Sequence, residues 1–111
     1  MKDLKERVWK ANLQLVKNGL VTLTFGNVSG FDPGKGLIAI KPSGVAYEKV
    51  NASDMVILDL EGRRVEGALN PSSDTPTHLA LYRAFPDLGG IAHSHSLYAA
   101  VFSQAGLSIP C

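Results

Sequence analysis

The sequence predicts a single small domain of the α/β or α+β class, and three observations support this. Leu4, Val8, Ala11 and Leu15 recur at i, i+4, i+7 and i+11, which places them on one face of an amphipathic helix. Short runs of apolar and β-branched residues follow, separated by turns rich in glycine and proline. Two more helical segments flank a last strand, so the predicted order is αβ(β)βββαβα.

The predicted strands are short and mostly bounded by turn residues. Alternation of Leu and Val with Thr predicts the first strand, and Glu61-Gly62 between two apolar runs is typical of a hairpin. Pro42 ends the third strand because proline cannot donate a hydrogen bond to a neighbouring strand. The predicted strands cover residues 20–25, 28–31, 37–40, 55–60, 63–66 and 89–95.

Two helix starts are marked by capping residues. Thr75 followed by Pro76 predicts an N-cap and a first helical residue, and Pro86 stops that helix. Ser96 predicts the N-cap of a last helix that ends near Gly106.

Composition indicates an ordinary globular protein. The 111 residues, read as one domain over 1–111, are 45% hydrophobic and 19% charged, with a formal net charge of +1. This balance gives no argument for binding nucleic acid or an anionic membrane. The single cysteine, Cys111, cannot form an internal disulfide, and no apolar run approaches the ~20 residues of a membrane span. With a charged start unlike a signal peptide, we expect a soluble, cytoplasmic protein.

The segment Ile91 to Ser96 carries the clearest chemical signal. Because alternate side chains of a strand share one face, His93 and His95 point the same way, roughly 6.5–7 Å apart along the backbone. Two neutral imidazoles at this separation can converge on one metal ion. The alternative is a pair of histidines in an edge strand without a metal.

A zinc site with an open position needs about three protein ligands. Asp74, in a polar loop before a helix, is a carboxylate candidate that would complete the set with His93 and His95. His78 lies four residues after Asp74 and is a further possible ligand. The alternative for His78 is a local bond near the start of its helix.

Three loops have the composition of a phosphate cradle, with backbone N–H groups, hydroxyl or amide side chains and little bulk. Lys41 adds a positive charge, and Ser72 and Ser73 precede a helix N-terminus, which attracts anions. Each loop taken alone is better explained as a turn than as a binding site. The candidate substrate-binding residues are Gly26, Asn27, Lys41, Ser43, Gly44, Ser72 and Ser73.

Four motifs in this order resemble the class II aldolase/adducin-type family. The motifs are Thr24 to Ser29, Ile40 to Val45, Pro71 to His78 and Gly90 to Ser96. The resemblance implies a three-layer α/β/α fold around a central, mainly antiparallel sheet. It also implies a Zn²⁺ or another divalent ion held by Asp74, His93 and His95, and a sugar-phosphate substrate contacted by the three loops.

Within that family, Asp74 resembles the ribulose-phosphate 4-epimerase branch, since the aldolases carry glutamate at this position. The implied reaction interconverts L-ribulose 5-phosphate and D-xylulose 5-phosphate by retro-aldol and aldol steps in pentose (arabinose) catabolism. The alternatives are a class II aldolase of the L-fuculose-phosphate type, or an inactive remnant of the family.

The family resemblance covers the N-terminal half of a typical member. We therefore expect a C-terminally truncated fold, with a further metal histidine and the proton-transfer groups beyond Cys111. Family members form homotetramers, so the resemblance also implies a homo-oligomer in the full-length form.

Overall fold

The computed structural model describes residues 1–110, and Cys111, the last residue of the predicted domain, lies outside it. Within residues 1–110 there are three helices and five strands, with a short 3-10 turn at Ala52–Asp54. In chain order the elements are α1 (Lys2–Lys17), β1 (Asn27–Asp32), β2 (Leu37–Ile40), β3 (Val56–Asp59), β4 (Arg64–Glu66), α2 (Thr75–Ala84), β5 (Gly90–His93) and α3 (Leu97–Gln104).

The five strands form one sheet in the order β4-β3-β2-β1-β5, and every neighbouring pair is antiparallel. The predicted antiparallel sheet and the predicted hairpin across Glu61-Gly62 are confirmed. The last strand, β5, crosses over to pair with β1, with Asn27 opposite His93. This crossover brings the start of β1 and the end of β5 together at the same end of the strands, which is called the site edge of the sheet below.

Helices cover both faces of the sheet, which gives the three-layer arrangement. Along β2, Ile38 and Ile40 face α2 while Ala39 faces α1, as the strand period of two requires. Each fully buried aliphatic side chain contributes about 1.5–3 kcal/mol to folding. The core under α1 contains Leu4, Val8, Ala39, Val50, Met55 and Ile57. The core under α2 contains Ile38, Ile40, Val56, Leu58, Leu79 and Tyr82.

A polar residue and a glycine dock α1 on β1. Asn12 is fully buried, where its Nδ2 donates to Val28 O at 3.1 Å and its Oδ1 accepts from Val28 N at 2.8 Å. A Cβ on Gly30 would lie 2.7 Å from Val8 Cγ2, so glycine at this position allows the helix to approach the strand closely. The predicted apolar face of α1 therefore contains a buried amide as well.

The strand predicted over 20–25 is wrong. This segment is an irregular connection with a turn at Leu23, whose φ of 56° lies in the left-handed region that an extended strand excludes. Leu23 and Phe25 are 78% and 56% exposed. Alternation of apolar and polar residues indicated a strand, but the segment has neither the backbone conformation nor the burial of one.

The predicted start of α2 is displaced by one residue. Asp74, not Thr75, is the N-cap residue, and its side chain makes no capping hydrogen bond. Thr75 is the first helical residue, and its hydroxyl donates to Ser72 O at 2.6 Å. The Asp74 carboxylate is therefore left for contacts outside the helix.

The last helix, α3, begins as predicted, since Ser96 Oγ accepts from Ala99 N at 3.2 Å. All of its residues are at least partly exposed, including Leu97 and Tyr98 at 72% and 76%. Among residues 1–110, none of the helices has the length and apolar character needed to cross a bilayer.

Replacing Asn12 by alanine is predicted to destabilise the fold by about 2–4 kcal/mol, because the N–H and C=O of Val28 both lose their partner. Urea unfolding followed by circular dichroism measures this loss. Gln14→Ala, on the exposed side of α1, is the control and should change stability by about 0.5 kcal/mol or less. Equal stability of the two variants would contradict the docking role of Asn12.

Candidate metal and phosphate site

Five chain segments meet at the site edge of the sheet, where β1 starts and β2 and β5 end. They are the start of β1, the ends of β2 and β5, the start of α2, and the loop before α2. Because β1 is antiparallel to both neighbours, its first residues lie beside the last residues of those strands, with Asn27 opposite His93 of β5 and Ser29 opposite Ile40 of β2. The topology, more than any local signal, gathers the polar motifs in one place.

A shared carboxylate oxygen links three of these elements. Asp74 Oδ2 accepts from Asn27 Nδ2 at 2.7 Å and lies 2.9 Å from His93 Nδ1. Burial raises the pKa of the Asp74 carboxyl, but the hydrogen bonds from Asn27 and His93 outweigh it, and the pKa falls below its ordinary value. The ionised Asp74 accepts, so His93 donates from Nδ1, and the Nε2 lone pair of a neutral His93 is directed elsewhere.

His95 lies beside His93, although β5 ends at His93 and not at the predicted residue 95. The two imidazole centroids are 4.8 Å apart, and the Phe25 ring is 5.6 Å from the His95 ring. The backbone N–H of His95 donates to Leu20 O at 3.4 Å, which ties the residue to the irregular 20–25 connection. That segment thus contributes a wall of the site.

A cleft of about 300 Å³ opens among these residues. All ten residues predicted for substrate or metal binding line it. Across residues 1–110, however, no three or more His, Cys, Asp or Glu side chains are placed to hold a metal ion together. The full lining is Thr24, Phe25, Gly26, Asn27, Lys41, Pro42, Ser43, Gly44, Ser72, Ser73, Asp74, His93 and His95.

The donor atoms present still suit a divalent ion such as zinc. One carboxylate and two imidazoles are the ligand types that zinc takes, and all three border the same cleft. The Asp74–His93 hydrogen bond uses the Asp74 oxygen and the His93 Nδ1. A metal would therefore engage His93 through Nε2, with Asp74 either moving to the metal or orienting the ring.

Backbone pairing holds two of the predicted loops side by side. Ser43 N donates to Asn70 O at 2.9 Å, and Ser72 N donates to Lys41 O at 3.0 Å. The Ser72 hydroxyl accepts from Asn27 Nδ2 at 3.0 Å, so it is engaged inside the site. Ser43 and Ser73 are instead exposed, and their hydroxyls are accessible to a ligand.

Lys41 lines the cleft, but its amine is bound to its own loop. The side chain is 2% exposed, and Nζ donates to Val45 O at 2.8 Å and to Pro42 O at 3.3 Å, 4.8 Å from the Tyr47 ring centroid. Burial lowers the pKa of the amine. The amine of Lys41 can therefore act on the cleft through its electrostatic potential, and not by a direct hydrogen bond.

Gly26 shows why a small residue is needed beside the histidines. Its φ is 87°, and a Cβ there would lie 2.9 Å from His93 O. Any side chain would therefore strain the backbone and push the end of β5 away from the start of β1.

His78 is separate from the predicted ligand set. It is 1% exposed, and Nδ1 lies 2.6 Å from Ser29 Oγ, which in turn lies 2.8 Å from the Tyr82 hydroxyl. Sequence reasoning missed Ser29 and Tyr82. Spacing is a signal for Tyr82 alone, since Asp74, His78 and Tyr82 recur every four residues from the N-cap of α2 onwards.

The chain matches the Class II Aldolase and Adducin N-terminal domain family over residues 6–111. It belongs to this family. An L-fuculose 1-phosphate aldolase structure is 38% identical, covers 98% of this chain and superposes with a TM-score of 0.91. This chain spans 51% of that protein's length, so it is about half as long.

Two other solved structures are similar. An L-fuculose 1-phosphate aldolase from Glaciozyma antarctica PI12 is 27% identical over 96% of this chain and 45% of its own, with a TM-score of 0.82. YgbL from Klebsiella pneumoniae, described as a putative aldolase/epimerase/decarboxylase, is 28% identical over 91% of this chain and 48% of its own, with a TM-score of 0.81. The class II aldolase fold expected from the sequence is confirmed.

Stability is predicted to fall as the pH drops below about 6.5, the ordinary pKa of histidine. Burial lowers the pKa of His78, while the Asp74 charge raises it and His93 lowers it. The unfolded chain therefore takes up a proton first, and the stability that neutral His78 provides is lost between pH 6.5 and its lowered pKa.

Urea unfolding of the wild-type chain and His78→Asn at pH 7.5 and pH 5.5 measures this effect. The wild type should lose more stability than the variant, which has no group at position 78 that titrates. Equal losses would show that His78 does not carry the pH dependence.

Proposed function

We propose that this cleft binds a divalent cation and a phosphorylated sugar for aldol-type carbon–carbon bond chemistry. The observation that carries the proposal is that Asp74, His93 and His95 line the same cleft as two serine-bearing loops. Membership of the class II aldolase family supports it. Since the chain spans about half the length of the matched structures, the activity of the whole protein is part of the proposal.

The predicted residues take different roles in this proposal. Asp74, His93 and His95 would hold Zn²⁺ or another divalent ion, which supplies a Lewis acid for a substrate carbonyl. The exposed hydroxyls of Ser43 and Ser73, with Gly44, would contact the phosphate. The N-terminus of α2 adds a favourable dipole for an anion.

Asn27 and Ser72 have an internal role in the same proposal. The Asn27 amide donates to Ser72 Oγ and to Asp74, so it sets the spacing between the phosphate loop and the metal-binding carboxylate. Lys41 closes its loop on the Val45 carbonyl and adds a positive potential near the phosphate. Gly26, which has no side chain, lets the backbone at the start of β1 approach the His93 carbonyl closely.

The first candidate reaction is L-ribulose-5-phosphate 4-epimerisation. Retro-aldol cleavage of the C3–C4 bond gives a three-carbon fragment and glycolaldehyde phosphate, and re-addition to the other carbonyl face gives D-xylulose 5-phosphate. The phosphate loops would keep the glycolaldehyde phosphate bound while it rotates to present its other carbonyl face. The support is Asp74, the shorter acid that resembles the epimerase branch.

The second candidate is an aldolase of the L-fuculose-phosphate type. The observation that favours it is the 38% identity to an L-fuculose 1-phosphate aldolase. Retro-aldol cleavage would then release an aldehyde instead of retaining it.

We also propose a cytoplasmic homo-oligomer, a tetramer in the full-length form, as in the family.

Zinc binding is expected to depend on both histidines. His93→Asn and His95→Asn should each lower Zn²⁺ affinity at least about 100-fold, more than the 10–100-fold typical of losing an outer partner. Isothermal titration calorimetry measures the affinity. Ser94→Ala, between the two histidines, is the matched control and should bind like the wild type. Unchanged binding by either histidine variant would refute its role as a ligand.

A product assay separates the two reactions. With Zn²⁺ and L-ribulose 5-phosphate, the epimerase proposal predicts D-xylulose 5-phosphate without free aldehyde. With L-fuculose 1-phosphate, the aldolase proposal predicts dihydroxyacetone phosphate and L-lactaldehyde. Turnover of the second substrate alone would remove the epimerase assignment, and zinc binding without turnover of either would remove both for this chain.

A further inference from the structure

Three polar side chains are buried between α2 and the sheet, behind the cleft. Ser29 and His78 are each 1% exposed and Tyr82 is 2% exposed. The distances are 2.6 Å from Ser29 Oγ to His78 Nδ1 and 2.8 Å from Ser29 Oγ to the Tyr82 hydroxyl. None of the three lines the cleft, so the proposed function does not use them.

The hydrogen bonds of this buried chain have one favourable direction. If Tyr82 donates to Ser29 and Ser29 donates to His78 Nδ1, every hydroxyl proton has an acceptor. In the opposite direction the Tyr82 proton has no acceptor among residues 1–110, which is unfavourable for a buried donor. His78 is therefore a neutral imidazole that accepts at Nδ1 and carries its proton on Nε2. Burial, which lowers its pKa, agrees with the neutral form.

The residue spacing along α2 matches the residue spacing along β1, and the buried hydrogen-bonded chain is part of this match. Asp74 and His78 lie about 6 Å apart along α2, four residues at 1.5 Å each. Asn27 and Ser29 lie about 6.6 Å apart along β1, two residues at 3.3 Å each. Asp74 therefore reaches Asn27 when His78 reaches Ser29, and the two contacts set the same register of helix against strand.

Apolar packing alone does not set this register. Leu79 and the Tyr82 ring pack on the aliphatic side chains of β2 and β3, and such contacts tolerate sliding because they are non-directional. Hydrogen bonds require distances and angles within narrow ranges. The buried polar chain is thus a directional part of the α2 interface, and it can fix the height of Asp74 above the sheet.

We propose that Tyr82, Ser29 and His78 are positioning residues for the metal site, acting through the placement of Asp74 between Asn27 and His93. Their effect on a bound metal rests on the proposed function. Their effect on the Asp74–Asn27 contact does not, because that contact is formed by the chain itself.

The first test uses the metal-free 111-residue chain labelled with ¹⁵N. A long-range ¹H–¹⁵N spectrum of the histidine rings should show His78 protonated on Nε2 and bare on Nδ1 at neutral pH. Protonation on Nδ1 would overturn the directed chain whether or not the protein binds zinc.

The second test compares variants that break the chain with variants that do not. Ser29→Ala and Tyr82→Phe remove a hydroxyl from the chain. His78→Asn keeps an acceptor near the Nδ1 position and is the conservative rescue. Leu79→Val, also buried on α2, weakens the apolar interface without touching the chain and is the matched control. Circular dichroism verifies that each variant is folded.

Solvent exchange of the Asn27 side-chain amide and Zn²⁺ affinity are measured for each variant. In Ser29→Ala and Tyr82→Phe, the Asn27 side-chain amide should exchange faster with solvent. Both variants should also bind Zn²⁺ about tenfold more weakly, as for loss of an outer partner. His78→Asn and Leu79→Val should stay within about threefold of the wild type.

Two results would overturn the proposal. One is unchanged Asn27 exchange in both Ser29→Ala and Tyr82→Phe, and the other is an equal effect of Leu79→Val. If the wild type binds no Zn²⁺, the proposed function fails, and the positioning role is decided by the His78 tautomer and the Asn27 exchange.

Discussion

The Asp74 carboxylate is the point at which β1, β5 and α2 meet. Its Oδ2 is shared between the Asn27 amide and the His93 ring, so one atom relates the start of one strand to the end of another. Asp74 can serve them because it is the N-cap residue of α2 without capping the helix. The helix start is stabilised instead by the Thr75 hydroxyl on Ser72 O, which leaves the carboxylate available.

This arrangement depends on the sheet topology behind it. The crossover of β5 to the outer side of β1 places His93 opposite Asn27, and the antiparallel β1–β2 pair brings Lys41 to the same edge. The residues of the site come from distant parts of the sequence, and the Asn27–Asp74 contact spans 47 positions. A rigid sheet with a helix on each face is what holds such contacts in place.

Local signals identified most of the elements, and together with the family resemblance they selected ten of the residues that line the cleft. The hairpin across Glu61-Gly62 and the Ser96 cap depend on neighbouring residues, so the sequence contains the information for both. The 20–25 segment shows the limit, because alternation predicted a strand while the left-handed backbone at Leu23 precludes one. Neither that conformation nor the contact of His95 with Leu20 follows from residue types.

The pairing of side chains across the interface was not accessible from the sequence. Ser29 and Tyr82 are ordinary strand and helix residues by composition, and only the register of α2 on β1 makes them neighbours of His78. His78 itself was ambiguous between ligand and local partner. Its burial and its bond to Ser29 place it in the support of the site, at the same helical spacing that leads to Asp74.

Asn27 shows what the site demands of the fold. Its Oδ1 is buried and is without a hydrogen-bond partner among residues 1–110, a state that costs about 1–3 kcal/mol. Rotating the amide would be unfavourable, because Oδ1 would then face the ionised Asp74 Oδ2 at 2.7 Å, and both oxygens are acceptors. The carboxylate therefore dictates the amide orientation and leaves its oxygen unpaired. Departures of this kind from full hydrogen bonding concentrate at functional sites, and in this chain it lies beside the three candidate metal ligands.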